Sequence, residues 1–516
     1  MTILEQRDVR VEFPLADYPS IGRFALDLVE GSRSAARFCR RADWARLGPM
    51  APSRDRSPLA AALERTNRAW GNELGGLLDP WIRGEAVGIV AGQQAGFAGG
   101  PLYTLTKIAT LIAIRRRLGQ RGVPAVPFFW LATEDHDFDE VARVVVQRGG
   151  ERVALRASES PAIRCPVGML PLPDSLREGL ASLLGKAPRW LRPGISFGDS
   201  FAELVVDAVG SGELVLIDSL LPELRREGGD LLHRIAGRLT EAEEAIDRRS
   251  RELDEAGYAP QVTRGAEGHY SLLYTIEDDG ARIPVLPREI GIQRALERIE
   301  KVPETVSTGV LARPLLQDAV LEPEVFVGGP AEVAYYAQLG GLHEMFGVRA
   351  PAVALRGHVL VAPAKRLRAL ERHGVEIQRI FEPLEEVLLP REPEAVAELD
   401  RAVEQADRAL AEAAQAIASV ALGADPGLDR SLQRSRRSIA HHLGRMAHRA
   451  RRAVARRDRE RWDALRSLQE ILVPDGRVQD RVAGWIGWWE DYGPRLVSRL
   501  VAEAEPDATV VRVAGL

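Results

Sequence analysis

The segment from residue 86 to 132 constrains the fold more than any other part of this chain. Ala86-Val87-Gly88-Ile89-Val90-Ala91 is a short uninterrupted apolar run, as expected of a strand buried on both faces. A glycine-rich loop follows from Gly92 to Gly100, Pro101 suits a first helical turn, and Leu102 to Leu118 keeps helical spacing. Gly119 to Gly122 ends that helix, and Val123 to Ala132 reads as a second buried strand. Strand, loop, helix and strand in this order predict a βαβ unit with parallel strands and a right-handed crossover.

The same pattern returns later in the chain. Leu214 to Asp218 supplies another buried strand, followed by a long amphipathic helix over 222–256. Glu324 to Gly329, a helix over 330–346 and a strand near 351–355 extend the sheet. Between these lie a β-hairpin over 141–155 turning at Gly149-Gly150, an irregular proline-rich stretch to Gly212, and a β-rich stretch over 260–305. The last third changes character: 393–422 and 428–472 are helical runs around the turn Gly423-Ala424-Asp425-Pro426-Gly427, an antiparallel coiled-coil hairpin. At 1.5 Å per residue the first arm would reach roughly 45 Å, too far for the sheet domain to cover, so it calls for a partner. The domain reading is therefore a core over 1–380 with insertions at about 147–212 and 260–305, a hairpin over 381–472, and a C-terminal segment over 473–516 packing back on the core.

Composition narrows the class of protein. A chain of 516 residues should hold about two to four structural units. A net charge of -5 gives no general attraction to nucleic acid. Cys39 and Cys165 are far apart and fit no metal or disulfide spacing, which points to a reducing cytoplasm. The stretch Met1 to Arg7 lacks a basic segment followed by an apolar run, and no apolar run approaches the ~20 residues needed to span a bilayer. Lysine survives only at positions 107, 186, 301 and 365, so Lys107, beside the glycine loop, stands out.

Three segments could carry chemistry. The first is the loop itself, where Gly92, Gly96 and Gly100 would let a cofactor phosphate approach the backbone and Gln93 and Gln94 offer amides to a substrate. It is neither GxGxxG nor GxxxxGK(S/T), which excludes the usual dinucleotide and P-loop patterns. Lys107 lies less than two turns into the helix and could meet a phosphate or carboxylate. The second is Glu134-Asp135-His136-Asp137-Phe138-Asp139-Glu140, directly after the second strand. Its acids could favour the start of the next element, hold a hard cation such as Mg2+, or hold a substrate amine with His136 as base. Zinc would want more histidine or cysteine. The third is Gly328 to Gln338, where Glu332, Tyr335 and Gln338 share a helical face and Arg313 lies near the same sheet end. His233, His441 and His442 read as surface or packing residues, and the arginines over 445–461 as a solvated helical face.

Taken together, Gly92-Gln93-Gln94 with Gly100-Pro101-Leu102-Tyr103-Thr104, then Glu134-Asp135-His136-Asp137, Leu216-Ile217-Asp218-Ser219, Arg313-Pro314-Leu315 and Gly329-Pro330 with Glu332 resemble the bacillithiol biosynthesis cysteine-adding enzyme family. Thr106 before Lys107, the Ser307-Thr308-Gly309 segment and the absence of clear HIGH and KMSKS motifs depart from the patterns of that family and of nucleotidyltransferases. The resemblance implies an α/β fold: a Rossmann-like core akin to class I nucleotidyltransferases, with inserted connecting segments, plus a coiled-coil hairpin that makes a homodimer. It implies a ligase joining the cysteine carboxyl to the glucosamine amine of glucosaminyl-malate, with ATP as the activating co-substrate. On this reading Asp135, His136 and Asp137 are catalytic. Gln93, Gln94, Lys107, Arg313 and Glu332 bind substrate, with Lys107 and Arg313 meeting the malate carboxylates. The rival readings are a divergent nucleotidyltransferase acting on another carboxylate, and a metabolite-binding scaffold. All of them place three separated turns at one edge of a parallel sheet.

Overall fold

The structure, a computed structural model, describes residues 9–148 and 151–516. The Met1 to Arg7 stretch and the Gly149-Gly150 turn read from the sequence lie outside the described residues. The chain forms two compact units: a larger one of residues 12–361 and 477–514, and a smaller one built chiefly of residues 362–476.

The larger unit is built on five parallel strands. They are β1 (Val87–Gln93), β2 (Ala125–Leu131), β3 (Val215–Asp218), β4 (Val325–Gly328) and β5 (Ala352–Leu355), in the order β5-β4-β1-β2-β3. Val87 pairs with Ala125 and Gln93 with Leu131, Phe128 with Val215, and Val325 with both Ile89 and Ala352. The runs are apolar because both faces are covered: Val90, Phe128, Phe129, Trp130 and Phe326 are fully buried. Each such side chain contributes about 1.5–3 kcal/mol relative to exposure. The βαβ unit is the one predicted, with its helix α1 over Leu102–Gln120. Thr106 and Thr110 are buried on α1 and donate their hydroxyls to the carbonyls of Leu102 and Thr106 one turn back, at 3.1 and 2.7 Å. After β3 the chain returns to the other side of β1, so strand order reverses between β1 and β4. In open α/β sheets the crevice at such a reversal, beyond the carboxyl ends of the strands, is where ligands bind.

Several sequence expectations are corrected. The strand β1 continues through Gly92 and Gln93, so the loop proper begins at Gln94. The stretch to Gly212 is not irregular: it holds helices Asp174–Leu184 and Phe197–Val209, the second mostly buried. The helix over 222–256 is three helices, Pro222–Glu227, Gly229–Gly237 and Leu239–Glu255. It breaks at Gly228, where a Cβ would fall 2.1 Å from Leu316, and at Arg238, whose backbone leaves the helical region. The second insertion has short strands Leu273–Ile276, Arg282–Pro284 and Val306–Thr308, which pair antiparallel, but also a helix Glu289–Lys301 that the sequence reading missed. The helix over 330–346 is divided after Gln338.

The smaller unit is helical. Pro393–Ala424 and Asp429–Ala455 form the arms of the predicted hairpin. The second arm stops at Ala455, and Asp458 caps a further helix, Arg459–Leu472, by accepting from the Arg461 N–H. Helix Ala364–His373 and the turn Ile377–Phe381 pack against that helix, with Gln469 donating to the carbonyls of Ile380 and Glu382 at 2.8 Å. The unit therefore begins near residue 362, earlier than the 381 drawn from the sequence, because these short helices share its core. Among the described residues no helix is long and apolar enough to cross a membrane.

Candidate active site

The end of β1, the turn after β2 and the start of the helix after β4 line one cavity of about 510 Å3. Gln93, Gln94, Lys107, Asp135, His136, Arg313 and Glu332 all border it. Three of the sequence-predicted positions do not: Asp137 borders a smaller neighbouring hollow, and Gly96 and Gly100 border another.

Lys107 fixes the floor. Its ammonium donates to the Gly92 carbonyl at 2.8 Å, to Gln93 Oε1 at 2.8 Å and to Glu332 Oε2 at 2.5 Å. An ammonium has three protons, so Lys107 is fully engaged. Burial pulls its pKa below the ordinary lysine value, and the Glu332 carboxylate works against that shift. Glu332 also accepts from the Gly329 N–H at 2.7 Å, at the start of its helix. In this arrangement Lys107 ties β1 to the helix after β4, across the strand-order reversal.

The glycine loop is hydrogen-bonded within itself. The N–H groups of Gly96, Gly99 and Gly100 donate to the carbonyls of Gln94, Gly96 and Phe97, inside the loop. A Cβ on Gly92 would sit 3.0 Å from the Trp130 carbonyl, one on Gly96 3.1 Å from Gly100, and Gly100 has φ +71°. Trp485 lies against Gly99 and donates to its carbonyl at 2.9 Å. These glycines serve close packing, and their amides do not form an open anion cradle.

The acidic segment after β2 diverges instead of converging. Glu134, fully buried, takes the Arg225 guanidinium and both the N–H and hydroxyl of Thr308, anchoring the second insertion to the sheet. Asp135 accepts from Gln94 Nε2 at 2.6 Å and from the His136 N–H at 2.7 Å. Asp137 is exposed and accepts from the Glu140 N–H, shaping the turn. Asp139 pairs with Arg156 at 3.2 Å. Among the described residues no three or more His, Cys, Asp or Glu side chains are grouped to hold a metal ion.

His136 faces a residue the sequence reading did not single out. Arg282, on a short strand of the second insertion, is buried, lies 3.8 Å from the Tyr274 ring centroid, and donates from Nε to Ser307 Oγ at 2.9 Å. Its Nη1 lies 2.6 Å from His136 Nδ1. Burial first, and the Arg282 charge second, hold the imidazole below the ordinary histidine pKa. Arg356, directly after β5, also went unnoticed, although its place at a strand end is a usable signal. It donates to Asp480 at 2.7 Å, while its Nε is buried without an acceptor. Arg313 donates to the Tyr335 hydroxyl at 2.8 Å and has no carboxylate partner in the site. Gln338 is structural: it clamps the backbone of Gln261 and Val262, the latter part of the cavity wall. Tyr103 accepts from Gln93 Nε2 at 3.2 Å, and burial, with Glu332 and Glu140 nearby, pushes its hydroxyl up to about 12.

A five-stranded parallel sheet with a cavity at its strand-order reversal, lined by Lys107, Arg282, Arg313 and Arg356, is a Rossmann-like core with its candidate site where open α/β sheets bind ligands. Comparison with known families places it more narrowly. The sequence model described as the bacillithiol biosynthesis BshC N-terminal Rossmann-like domain matches residues 31–357, and that of the BshC C-terminal coiled-coil domain matches residues 359–513. The chain belongs to the bacillithiol biosynthesis BshC family. It is 31% identical over 498 residues to a protein of Symbiobacterium thermophilum, covering 87% of this chain and 88% of that one. It is 30% identical over 449 residues to one of Solibacter usitatus (83% and 84%), and 30% over 460 residues to one of Koribacter versatilis (84% and 85%). All three carry the name "Putative cysteine ligase BshC".

Proposed function

We propose that this chain is the cysteine-adding ligase of bacillithiol biosynthesis, forming an amide between the cysteine carboxyl and the glucosamine amine of glucosaminyl-malate. The observation that carries the reading is the convergence of Gln93, Asp135, His136, Arg313 and Glu332 on one cavity in a member of this family. The new bond is N–C and the broken one is C–O, with the amine losing a proton. Asp135 holds the amine and takes that proton. Arg282 can only donate, so His136 Nδ1 is the acceptor and its remaining proton sits on Nε2. His136 then gives an N–H to the carbonyl oxygen as it gains charge, the part of an oxyanion donor, not that of the base expected from sequence. Asp137 keeps the turn in shape. Arg313 and Arg356 meet carboxylate or phosphate oxygens. Condensing a free carboxylate is uphill; ATP, as co-substrate, would supply the driving force by turning the departing oxygen into a phosphate leaving group.

Mass spectrometry of the purified protein with cysteine, glucosaminyl-malate and ATP tests this. The expected result is the cysteinyl amide with stoichiometric nucleotide turnover. Turnover of a different acid–amine pair, with none of this one, would overturn the reading.

A homodimer through the hairpin belongs to the same proposal. No side chain of the first arm is buried, and Ile417 and Val420 on it, with Ile439 and Met446 on the second, remain exposed. Two helices alone cannot cover such a stripe, whereas a second copy can. A cytoplasmic setting agrees with two unpaired cysteines, Cys39 buried and Cys165 partly so.

A further inference from the structure

A second cavity, of about 350 Å3, opens beside the main one and shares Gln93, Gln94, Tyr103 and Arg481 with it. Four arginines line it: Arg143 and Arg156 from the hairpin after β2, and Arg477 and Arg481 from the C-terminal segment. Arg156 is partly neutralised by Asp139. Arg143, Arg477 and Arg481 have no carboxylate within ion-pair distance among the described residues, and Arg481 Nε is buried without an acceptor. Glu140, the carboxylate in the wall, is engaged by Gln94 at 3.2 Å. Cations gathered in one hollow repel one another, an arrangement that an incoming anion relieves.

The neighbourhood selects the anion. A phosphate would use backbone amides, but those of Gly96, Gly99 and Gly100 are turned inward. Guanidinium groups with free edges pair bidentately with carboxylates as well as with phosphates, so it is the lack of cavity-facing amides here that favours the carboxylate. Gln94 sets the spacing, because its Nε2 reaches Asp135 in the main cavity and Glu140 in the second. The two cavities meet at Gln93, Gln94 and Tyr103, so a ligand running from Asp135 to the arginines passes over these side chains.

We infer that the arginine-lined cavity binds the dicarboxylate end of the amine substrate, with the sugar over Gln93 and Gln94 and the amine at Asp135. This rests on the reaction proposed above. It replaces Lys107, whose protons are all engaged, with Arg143, Arg477 and Arg481 as the partners of the malate carboxylates.

The test uses the full chain with Arg143→Gln/Arg477→Gln and Arg143→Lys/Arg477→Lys, both at exposed positions. Calorimetry measures binding of glucosaminyl-malate, of the methyl glucosaminide lacking carboxylates, and of inorganic tripolyphosphate. The glutamine pair is expected to weaken glucosaminyl-malate by at least about tenfold, the lysine pair to restore part of that, and the methyl glucosaminide to be unaffected. In turnover, KM for glucosaminyl-malate rises in step while those for cysteine and ATP move by less than about twofold. Unchanged glucosaminyl-malate affinity in the glutamine pair would overturn the subsite and leave the reaction standing. So would a loss confined to tripolyphosphate, which would assign the arginines to a phosphate. No binding of glucosaminyl-malate by the unaltered protein would fell the reaction itself, and the subsite with it.

Discussion

Arg282 Nη1 stands 2.6 Å from His136 Nδ1, although 146 residues separate the two in the chain. A guanidinium keeps its protons at any accessible pH, so this contact decides which imidazole nitrogen carries a hydrogen. It makes His136 a neutral donor. The groups around the ring are Asp135 and Asp137 on its own turn, Arg164 from the first insertion, and Arg282 with Tyr274 from the second.

Replacing Arg282 with methionine removes both a neighbouring cation and the donor to Nδ1, so the His136 pKa should rise towards the ordinary value. Histidine-selective NMR of the whole chain follows it, and the acid limb of kcat/KM should shift to higher pH. An unchanged His136 titration would show that Arg282 does not govern the ring.

Lys107 and Glu332 should behave as one unit. Lys107→Met leaves a carboxylate beside an apolar group, and Glu332→Gln leaves a buried ammonium without its counter-charge. Glu332 keeps 20% of its side chain exposed, so each change should cost about 2–3 kcal/mol, at or below the low end for a buried pair. The double variant should recover at least about 1 kcal/mol of the summed cost in urea unfolding. Additive effects would deny the coupling.

His358 gives a pH dependence with a definite sign. It is buried against Tyr18 with Nε2 unpartnered, and burial, then Arg356 and Arg481, hold its pKa well below the ordinary value. A depressed histidine pKa means the unfolded chain binds a proton that the folded one refuses. Stability contributed by the neutral ring is therefore present above about pH 6.5 and falls as the solution is acidified below it. Substituting His358 with asparagine should remove about 1.4 kcal/mol per pH unit from that slope between about pH 6 and 5. Parallel stability curves for the two proteins would contradict this.

The exposed hairpin stripe predicts assembly. Ile417→Lys with Val420→Lys places two charges where apolar side chains would meet. Light scattering should then report the 56.6 kDa monomer in place of about twice that mass for the unaltered chain. Equal masses for both proteins would defeat the dimer.

Strands β1 to β5, the βαβ unit and the paired helical arms were all legible in the amino-acid order. Those features depend on local patterns: apolar runs of strand length, helical spacing, and glycine or proline at the breaks. The same order also placed Gln93, His136 and Glu332 at strand ends, which is why they meet at one edge of the sheet. What those groups can do depends on contacts that form when the chain folds. Arg282 reaches His136 through a three-stranded insertion, the three protons of Lys107 are consumed by partners from two strand ends, and Arg477 joins Arg143 from the far end of the chain. A periodicity records which face of an element is buried, but a hydrogen-bond inventory depends on which distant segment comes to lie against that face, and no local pattern carries that information.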